Sequence, residues 1–428
     1  MFKRCQYACQ SPEHTLSRRA FFGGAALGAA SLFGLTQPAV ARQLSASQRR
    51  VLMIYLHGGA SQLESWDPKP GTDTGGPFRA IPTSVPGTHI SELLPHTALR
   101  MHKLALVRGM NTADDDHGKG DYIMHTGRRQ EPNVDYPHLG AVCAKLLGSE
   151  DAALPGYIHI TPGGGGNFNK KDATFLGPKY ASVSVSDGKP PANLFRPTGL
   201  TEAADAQREA LRHKLNEHFA RSRKTAQTEA YTESYEQAAR FIREGNIFAI
   251  DKEDPRTQDR YGRHDFGRHC LLARRLLEEG VTFVKVTHTN YDTHHENFDF
   301  HIEQLGEFDR PFATLLDDLA DRGLLESTLV IVMSEFGRTP RINHLYGRDH
   351  WSKAWSVCLG GCGIKGEGLV GKTNANGTAV TDREVNAGHL FHTYFRALGL
   401  DSKKNHYPND RPIPMADPKA DAIKELLA

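Results

Sequence analysis

The stretch from residue 281 to residue 333 constrains the fold of this chain more than any other part of the sequence. Residues 281–286 (VTFVKV) form a short, mostly apolar run that predicts a buried strand, and residues 328–333 form a second one. Between them, residues 301–321 place apolar side chains at helical spacing. A strand, a helix and a strand in this order indicate a right-handed crossover between parallel strands. The sequence therefore predicts an α/β protein with a mostly parallel central sheet flanked by helices.

Further segments fit the same pattern. Residues 201–250 are polar and helix-favouring, with Leu211, Leu215 and Phe219 on one face, and they predict a helical insertion or hairpin. The other predicted elements are strands at 51–56, 104–107 and 355–359 and helices at 266–279 and 387–398.

The first 41 residues are expected to be a removable export signal. Arg18-Arg19 precede a weakly apolar, Gly/Ala-rich run from Gly23 to Leu35, and Ala39-Val40-Ala41 fits a small-residue cleavage site. A buried Ala-rich helix is the alternative interpretation. With cleavage, the mature chain begins near Arg42 after passage through the twin-arginine export machinery, and it works in the periplasm or outside the cell. Residues 42–428 would then form a single domain with a helical insertion near 201–250.

Composition argues against two kinds of partner. Removal of the signal deletes four of the 52 basic and one of the 50 acidic residues, so the formal charge falls from +2 to about −1. A chain without excess positive charge lacks the electrostatic basis for binding nucleic acid. No segment after the N-terminus has the roughly 18 consecutive apolar residues of a membrane span, so none is expected in the mature chain.

Four of the six cysteines remain after cleavage: Cys143, Cys270, Cys358 and Cys362. Cys358 and Cys362 could form a disulfide in an oxidising compartment, or both could stay unpaired. A zinc knuckle is not expected, because no second cysteine pair lies nearby.

Residues that can bind a metal follow three of the predicted strands. His57 follows the first, residues 287–297 (THTNYDTHHEN) follow the second, and residues 334–338 (SEFGR) follow the third, with GRDHW at 347–351 shortly after. Ligands of parallel α/β sheets bind beyond the carboxyl ends of the strands, so these segments are expected to meet at one edge. Neutral imidazole and carboxylate suit zinc, manganese or iron. For any single histidine, a hydrogen-bonded loop residue is the alternative.

Arg338 stands just beyond a predicted strand end. Its planar fork of donors could clamp a planar or tetrahedral anion. The alternative is a structural salt bridge with Glu335 or Asp349.

Residues 366–373 (GEGLVGKT) fit the phosphate-loop pattern letter for letter. A phosphate loop needs a helix directly after it, whose amide groups face the phosphates. Here the turn sequence NANG follows at 374–377, so nucleotide binding is not expected.

Taken together, these motifs resemble the DUF1501 family. The resemblance rests on the twin-arginine start, HGG at 57–59, WDPKP at 66–70, DTH at 292–294, SEFGRTPR at 334–341 and GRDHW at 347–351, and it covers most of the mature chain. It implies export and an alkaline phosphatase/sulfatase-like fold. It does not supply a reaction.

The sequence departs from the sulfatase pattern at the nucleophile. Sulfatases place Cys or Ser nine residues before a Thr-Gly, within a Cys/Ser-x-Pro-x-Arg frame. Here His117 precedes Thr126-Gly127 at that spacing, and Asp121 takes the place of the arginine. A formylglycine sulfatase mechanism is therefore not expected. Elsewhere the pattern is matched or replaced: His57 and Glu335 stand where the superfamily has Asp, and Asp292, His294 or His295, and His350 match its other ligands.

The replacements are themselves metal ligands, which predicts a rebuilt metal site that activates water without a covalent intermediate. The expected cofactor is a divalent metal, with zinc, manganese, iron and calcium left open. The ligands are expected among His57, His117, Asp292, His294, Glu335, Asp349 and His350. The expected catalytic residues are Glu335 as a ligand or general base, Arg338 and His117.

Two functions follow from this set of residues. The first is hydrolysis of an anionic ester, sulfate or phosphate, for example on a polysaccharide. The alternative is a non-catalytic exported protein that binds carbohydrate or a cell-envelope partner at the same edge of the sheet. Such a protein would present exposed aromatic side chains there, with Trp351 and Trp355 as candidates.

Overall fold

A computed structural model describes residues 48–149, 152, 154–163, 171–187, 199–222, 232 and 245–428. By its contacts the chain divides into residues 1–47 and residues 48–428, and the second unit contains all of the described residues. The predicted export signal lies outside the described residues. Within the ranges described, no helix is both long enough and apolar enough to cross a bilayer.

The described part contains strands and helices in the following order along the chain. The strands are β1 (Arg50–Leu56), β2 (Ala80–Pro82), β3 (His89–Ser91), β4 (Leu104–Met110), β5 (Tyr157–Thr161), β6 (Val183–Ser186), β7 (Phe283–His288), β8 (Thr328–Met333), β9 (Gly337–Arg338), β10 (His350–Trp351), β11 (Trp355–Gly361), β12 (Leu369–Val370), β13 (Lys372–Thr373), β14 (Val380–Asp382), β15 (Asn405–His406) and β16 (Ile413–Pro414). The helices are α1 (Pro95–Ala98), α2 (His117–Thr126), α3 (Leu139–Leu147), α4 (Glu202–Ser222), α5 (Pro255–Tyr261), α6 (Asp265–Glu278), α7 (Asn297–Asp321) and α8 (Ala387–Ala397).

Eight strands form one central sheet in the order β12-β4-β11-β8-β1-β7-β5-β6. Strands β8, β1, β7, β5 and β6 run parallel, whereas β11 is antiparallel to both of its neighbours, β8 and β4. The strands on either side of crossover helix α7 both pair with β1 and not with each other. The predicted α/β class with a mostly parallel sheet is confirmed.

The sheet is covered on both faces, and strand β1 shows how. Its alternate residues Leu52, Ile54 and Leu56 pack into one apolar cluster with helices α6 and α7. The intervening residues, including Met53 and Tyr55, pack into a second cluster with α2, α3 and α8. Burial on both sides explains why the central strands read as continuous apolar runs in the sequence.

Most predicted bounds agree with the structure to within a few residues, although β4 and β11 extend beyond their predicted ends to Met110 and Gly361. The differences at β7 and α7 arise where polar residues enter the core. Strand β8 occupies residues 328–333 as predicted, but β7 is displaced by two residues and ends at His288. Helix α7 begins at Asn297, four residues before its predicted start, because its first turn carries a buried polar residue outside the apolar pattern. The sequence did not predict α2, α3, β5 and β6.

Helix α4 lies where a helical insertion is expected. Its Leu211, Leu215 and Phe219 are exposed, and much of the rest of 201–250 lies outside the described residues. The insertion itself stays a prediction.

Two further motifs have simple structural outcomes. The segment that resembles a phosphate loop forms the short strands β12 and β13, and no helix follows it directly. The four cysteines of the described part are free, and Cys358 and Cys362 pack on opposite faces of the sheet. No disulfide joins them.

Candidate metal site at the strand ends

Three adjacent strands bring the predicted site segments together. Strand β1 lies between β7 and β8, with Leu56 opposite His288 and Tyr55 opposite Met333, so the three strands end at nearly the same level. The loop after β1 then packs directly on the loop after β7. At Gly58, which has a φ of 115°, a β-carbon would lie 2.5 Å from the backbone nitrogen of Asp292. A side chain there would push these loops apart.

Asp292 is the centre of a cluster of imidazoles at this edge. The ligand atoms of His117, Asp292 and His350 all lie within 4.8 Å of one another. Asp292 Oδ2 is 3.4 Å from His117 Nε2, and its Oδ1 is 3.2 Å from His350 Nε2. His294 Nε2 lies 3.1 Å from Asp292 Oδ1 and 3.0 Å from His350 Nε2. Three segments, the start of α2, the loop after β7 and strand β10, thus supply four potential ligands.

The far nitrogen of each imidazole is held by an oxygen. His117 Nδ1 lies 2.8 Å from Glu335 Oε1, and His294 Nδ1 lies 2.8 Å from Asp349 Oδ1. His350 Nδ1 lies 2.7 Å from the Asp115 carbonyl. A carbonyl or a carboxylate only accepts, so each Nδ1 donates its hydrogen and each Nε2 is directed at Asp292. Metal-binding histidines characteristically have this outer bracing.

The residues present fit a divalent transition metal. The Nε2 atoms of His294 and His350 face each other at 3.0 Å, so a proton or a metal ion must lie between them to prevent repulsion of their lone pairs. The Asp292 oxygens lie 3.1 to 3.4 Å from the three imidazole nitrogens, which matches ligands around one ion with bonds of roughly 2.0–2.2 Å. The set whose ligand atoms all lie within 4.8 Å of one another is His117, Asp292 and His350, and His294 adjoins it. Three imidazoles and one carboxylate suit zinc, manganese or iron, whereas calcium selects oxygen ligands.

The charges of Asp292 and His350 are those that a metal site needs. Although burial favours its neutral form, the Arg338 guanidinium lowers the pKa of Asp292 to about 2. Burial also lowers the pKa of His350, and the hydrogen bond from His294 lowers that of Asp349. The hydrogen bond to Glu335 raises the pKa of His117. Asp292 is therefore ionised and His350 neutral near pH 7, the forms that bind a cation.

Arg338 holds Asp292, the carboxylate of the cluster, in place through a hydrogen bond. Its side chain is fully buried, with Nε donating to the Gly59 carbonyl at 2.8 Å and Nη1 to the Arg348 carbonyl at 3.0 Å. Its Nη2 donates to the Gly58 carbonyl and, at 2.5 Å, to Asp292 Oδ1. With every nitrogen engaged, Arg338 is not placed to clamp a substrate anion, which corrects that expectation. Its acidic partner is Asp292, instead of Glu335 or Asp349.

Glu335 braces His117 and is neither a ligand in this arrangement nor an available base. Its Oε1 accepts from His117 and, at 2.9 Å, from the Gly58 amide. Its Oε2 lies 3.1 Å from the Ser334 hydroxyl, which donates its hydrogen to the Leu56 carbonyl. The side chain is buried, which opposes ionisation, yet the hydrogen bond from His117 and the nearby His57 keep its pKa below the ordinary value. Both of its predicted roles are therefore replaced by a supporting one. Asp349 likewise supports His294.

Two other predicted ligands lie beside the cluster. His57 is exposed, its ring stacks on that of His117 with centroids 6.3 Å apart, and it makes no side-chain hydrogen bond to any described residue. His295 is also exposed and turns towards Phe300, with centroids 5.6 Å apart. Of the adjacent histidines, His294 is the one in the cluster.

Sequence reasoning missed two parts of the site. The Asp115 carbonyl that braces His350 is a backbone atom and has no signal in the residue pattern. Phe336 packs against both His117 and His350, with centroid distances of 4.9 and 4.5 Å. Its position inside the SEFGR segment was the available clue.

Trp355 is buried and Trp351 is half-buried, so neither forms an open aromatic surface.

The fold and the site define an α/β protein with a braced histidine–carboxylate cluster at the carboxyl ends of its central parallel strands. The family model described as "Protein of unknown function (DUF1501)" matches residues 48–427, and the chain belongs to that family. The predicted membership is confirmed. No curated protein matches the sequence significantly.

Several solved structures are similar to the chain. A protein in the alkaline phosphatase superfamily from Vibrio parahaemolyticus is 13% identical, with 83% of this chain and 68% of that chain covered and a TM-score of 0.35. The PsFucS1 sulfatase from Pseudoalteromonas sp. is 13% identical over 85% and 72% of the two chains, with a TM-score of 0.39. The C-terminal periplasmic domain of EcEptC from Escherichia coli, in complex with Zn, is 10% identical over 83% and 84%, with a TM-score of 0.40. The fold of the chain is assigned from its own strand order.

Proposed function

We propose that this chain is an exported metal-dependent hydrolase that acts on an anionic ester, a sulfate or a phosphate, for example on a polysaccharide. The observation that carries the proposal is the bracing of His117, His294 and His350, each held at Nδ1 by an oxygen and directed through Nε2 at Asp292. A group of hydrogen-bonded loop histidines has no reason to converge in this way. The choice of an anionic ester rests on the resemblance of the motifs to those of sulfatases and phosphatases.

The bound ion would supply a Lewis acid and lower the pKa of water enough to make it a nucleophile near neutral pH. His117 holds the position of the sulfatase nucleophile, but its Nδ1 is bonded to Glu335 and its Nε2 faces Asp292. Because both nitrogens are engaged, attack on substrate by this side chain is disfavoured. Direct hydrolysis by water fits the arrangement better than a covalent route.

His57 is the side chain best placed to move a proton. It is exposed next to His117, and its ring nitrogens have no partner among the described residues. An imidazole can accept a proton from attacking water or donate one to the leaving group near neutral pH. In this proposal His57 is therefore the general acid or base, and Glu335 and Arg338 act through the residues they hold.

Elemental analysis of the purified mature chain, combined with chromogenic phosphate, phosphonate and sulfate esters, tests the proposal. We expect about one divalent transition metal per chain and hydrolysis of at least one ester class that stops with a chelator and returns with the metal. A matched pair of variants locates the site. His294→Ala should lose most of the metal and the activity, while His295→Ala should keep both, because only His294 belongs to the cluster.

The outcomes separate the two candidate functions. A folded protein that contains no metal and does not respond to added metal removes the proposal. A protein that binds the metal through His294 but hydrolyses none of the esters supports the non-catalytic alternative. In that case binding of the metal-loaded chain to polysaccharide is the next measurement.

A further inference from the structure

A buried lysine lies beneath the candidate site, in a layer that is otherwise mostly apolar. Lys285 is in the middle of strand β7, on the face covered by helix α2, and is only 7% exposed. Its ammonium lies 2.7 Å from His125 Nε2 and 4.4 Å from the centre of the Tyr55 ring. A buried charge is costly unless it is bonded, so its position calls for a specific reason.

The hydrogen bonds of His125 show which of its nitrogens carries the hydrogen. His125 Nδ1 lies 2.9 Å from the Asp121 carbonyl and 3.3 Å from its carboxylate. Because the carbonyl only accepts, Nδ1 carries the hydrogen and Nε2 is the acceptor of the Lys285 ammonium. A donor on β7 is thereby tied through His125 to two successive turns of α2.

This bond joins two of the three segments that supply the potential metal ligands. Helix α2 begins with His117, eight residues before His125, and β7 leads directly into the loop with Asp292 and His294. A residue of β7 and a residue of α2, 160 positions apart in the sequence, thus meet below the site. The spacing of His117 from Asp292 depends on how α2 sits on β7.

We propose that Lys285 is a positioning residue, which sets the distance between His117 and Asp292 through its hydrogen bond to His125. The inference rests on the metal site of the proposed function and extends it to a residue outside the ligand set. Outer residues that orient metal ligands commonly change metal affinity by about 10–100-fold when replaced.

Cobalt(II) titration of the full mature chain, followed by visible absorption, tests the proposal without relying on turnover. Lys285→Met keeps the length of the side chain and removes the bond. We expect it to weaken Co²⁺ binding about 10-fold or more and to alter the visible spectrum, since the ligand geometry changes. The matched control is Thr287→Val on the same face of the same strand, which removes the 2.8 Å bond to His159 of β5 and keeps both members of the Lys285–His125 bond. It should bind Co²⁺ like the unmodified chain.

The double variant Lys285→Met/His125→Leu distinguishes positioning from a merely structural role and provides a second route if Lys285→Met does not fold. Replacing both members of a buried polar pair with apolar residues is often neutral for stability. We expect the double variant to fold and still bind Co²⁺ weakly. Unmodified affinity and spectrum in either Lys285 variant would overturn the proposal, as would an equal loss in Thr287→Val. If the unmodified chain fails to bind Co²⁺ or Zn²⁺, the metal site itself is refuted, and the positioning role with it.

Discussion

Two buried arginines ten residues apart form ion pairs of very different character. Arg348 and its partner Glu64 are both completely buried, and Arg348 also donates to the carbonyls of Thr74, Thr339 and Pro340. Arg338 is just as buried, but its partner Asp292 is 48% exposed and opens towards the imidazole cluster. In the first pair both side chains are inaccessible to solvent, whereas in the second pair the carboxylate is accessible to solvent.

The difference in exposure distinguishes an ion pair that stabilises the fold from one that is placed to bind a ligand. The Arg348–Glu64 pair has no remaining surface at which a ligand could bind, and it ties the loop after β1 to the loop before β10. In the Arg338–Asp292 pair, the arginine holds Asp292 Oδ1. The same oxygen also faces His294 and His350, and Oδ2 faces His117. We therefore expect stability to depend on the first pair and metal binding on the second.

The largest expected effect is on the Arg348–Glu64 pair. Glu64→Gln would leave the Arg348 charge buried without its partner, and breaking a buried pair in this way costs about 3–5 kcal/mol. Denaturant unfolding measures the loss, and the metal affinity of the folded fraction should stay close to that of the unmodified chain. A loss below about 1 kcal/mol, the range of exposed pairs, would show that the two pairs do not differ as described.

For Asp292→Asn we expect the opposite result, a large loss of metal affinity with a small loss of stability. The amide is a poor metal ligand, so affinity should fall by more than the roughly 100-fold upper range for outer residues. The stability of the metal-free protein should fall by less than in Glu64→Gln, because Asp292 is half exposed, Arg338 keeps its carbonyl acceptors and the asparagine oxygen can still accept from Arg338. Calorimetric titration with Zn²⁺ and unfolding of the metal-free chain give the two values. A large loss of stability with intact affinity would reverse the assignment.

A smaller effect on metal affinity is expected for Asp349, which contacts the ligand His294 and not the metal itself. Asp349→Asn weakens the brace on His294 Nδ1 and should lower metal affinity by about 10–100-fold. Glu296→Gln, which changes an exposed acid in the neighbouring loop, is the control and should bind like the unmodified chain. Equal affinity in the two variants would mean that Asp349 does not orient His294.

The smallest expected effect concerns pH and His117. Its pKa is raised in the folded protein, mainly by Glu335, so the bond stabilises the protonated imidazole. This contribution is fully present below the unfolded pKa of about 6.5 and is lost as the pH rises through the raised folded value. In the metal-free state, the stability difference between the unmodified chain and Glu335→Gln should therefore shrink from pH 5 to pH 9. A difference that stays constant would exclude this coupling.

The sequence misses β12, β5 and β6 at the edges of the central sheet. It predicts the five middle strands, β4, β11, β8, β1 and β7, because continuous apolar runs such as 328–333 have a single favourable environment, a strand buried on both faces. It also places Asp292 and His350 at the right edge, since strand ends are readable from the same pattern. It does not predict what Arg338 and Glu335 do, because a buried guanidinium that bonds carbonyls and a clamp for substrate have the same residue pattern. The brace of His350 is a carbonyl, and the link from Lys285 to His125 depends on contacts 160 residues apart.

X-ray absorption spectroscopy of the zinc-loaded chain tests the central claim most directly. Convergence of His117, His294, His350 and Asp292 on one ion predicts nitrogen and oxygen neighbours at about 2.0–2.1 Å, with the outer-shell scattering of imidazole rings and no sulfur. His294→Ala should reduce the imidazole contribution, while His295→Ala should leave the spectrum unchanged. A zinc ion without imidazole neighbours, or a spectrum that is indifferent to the loss of His294, would contradict the account.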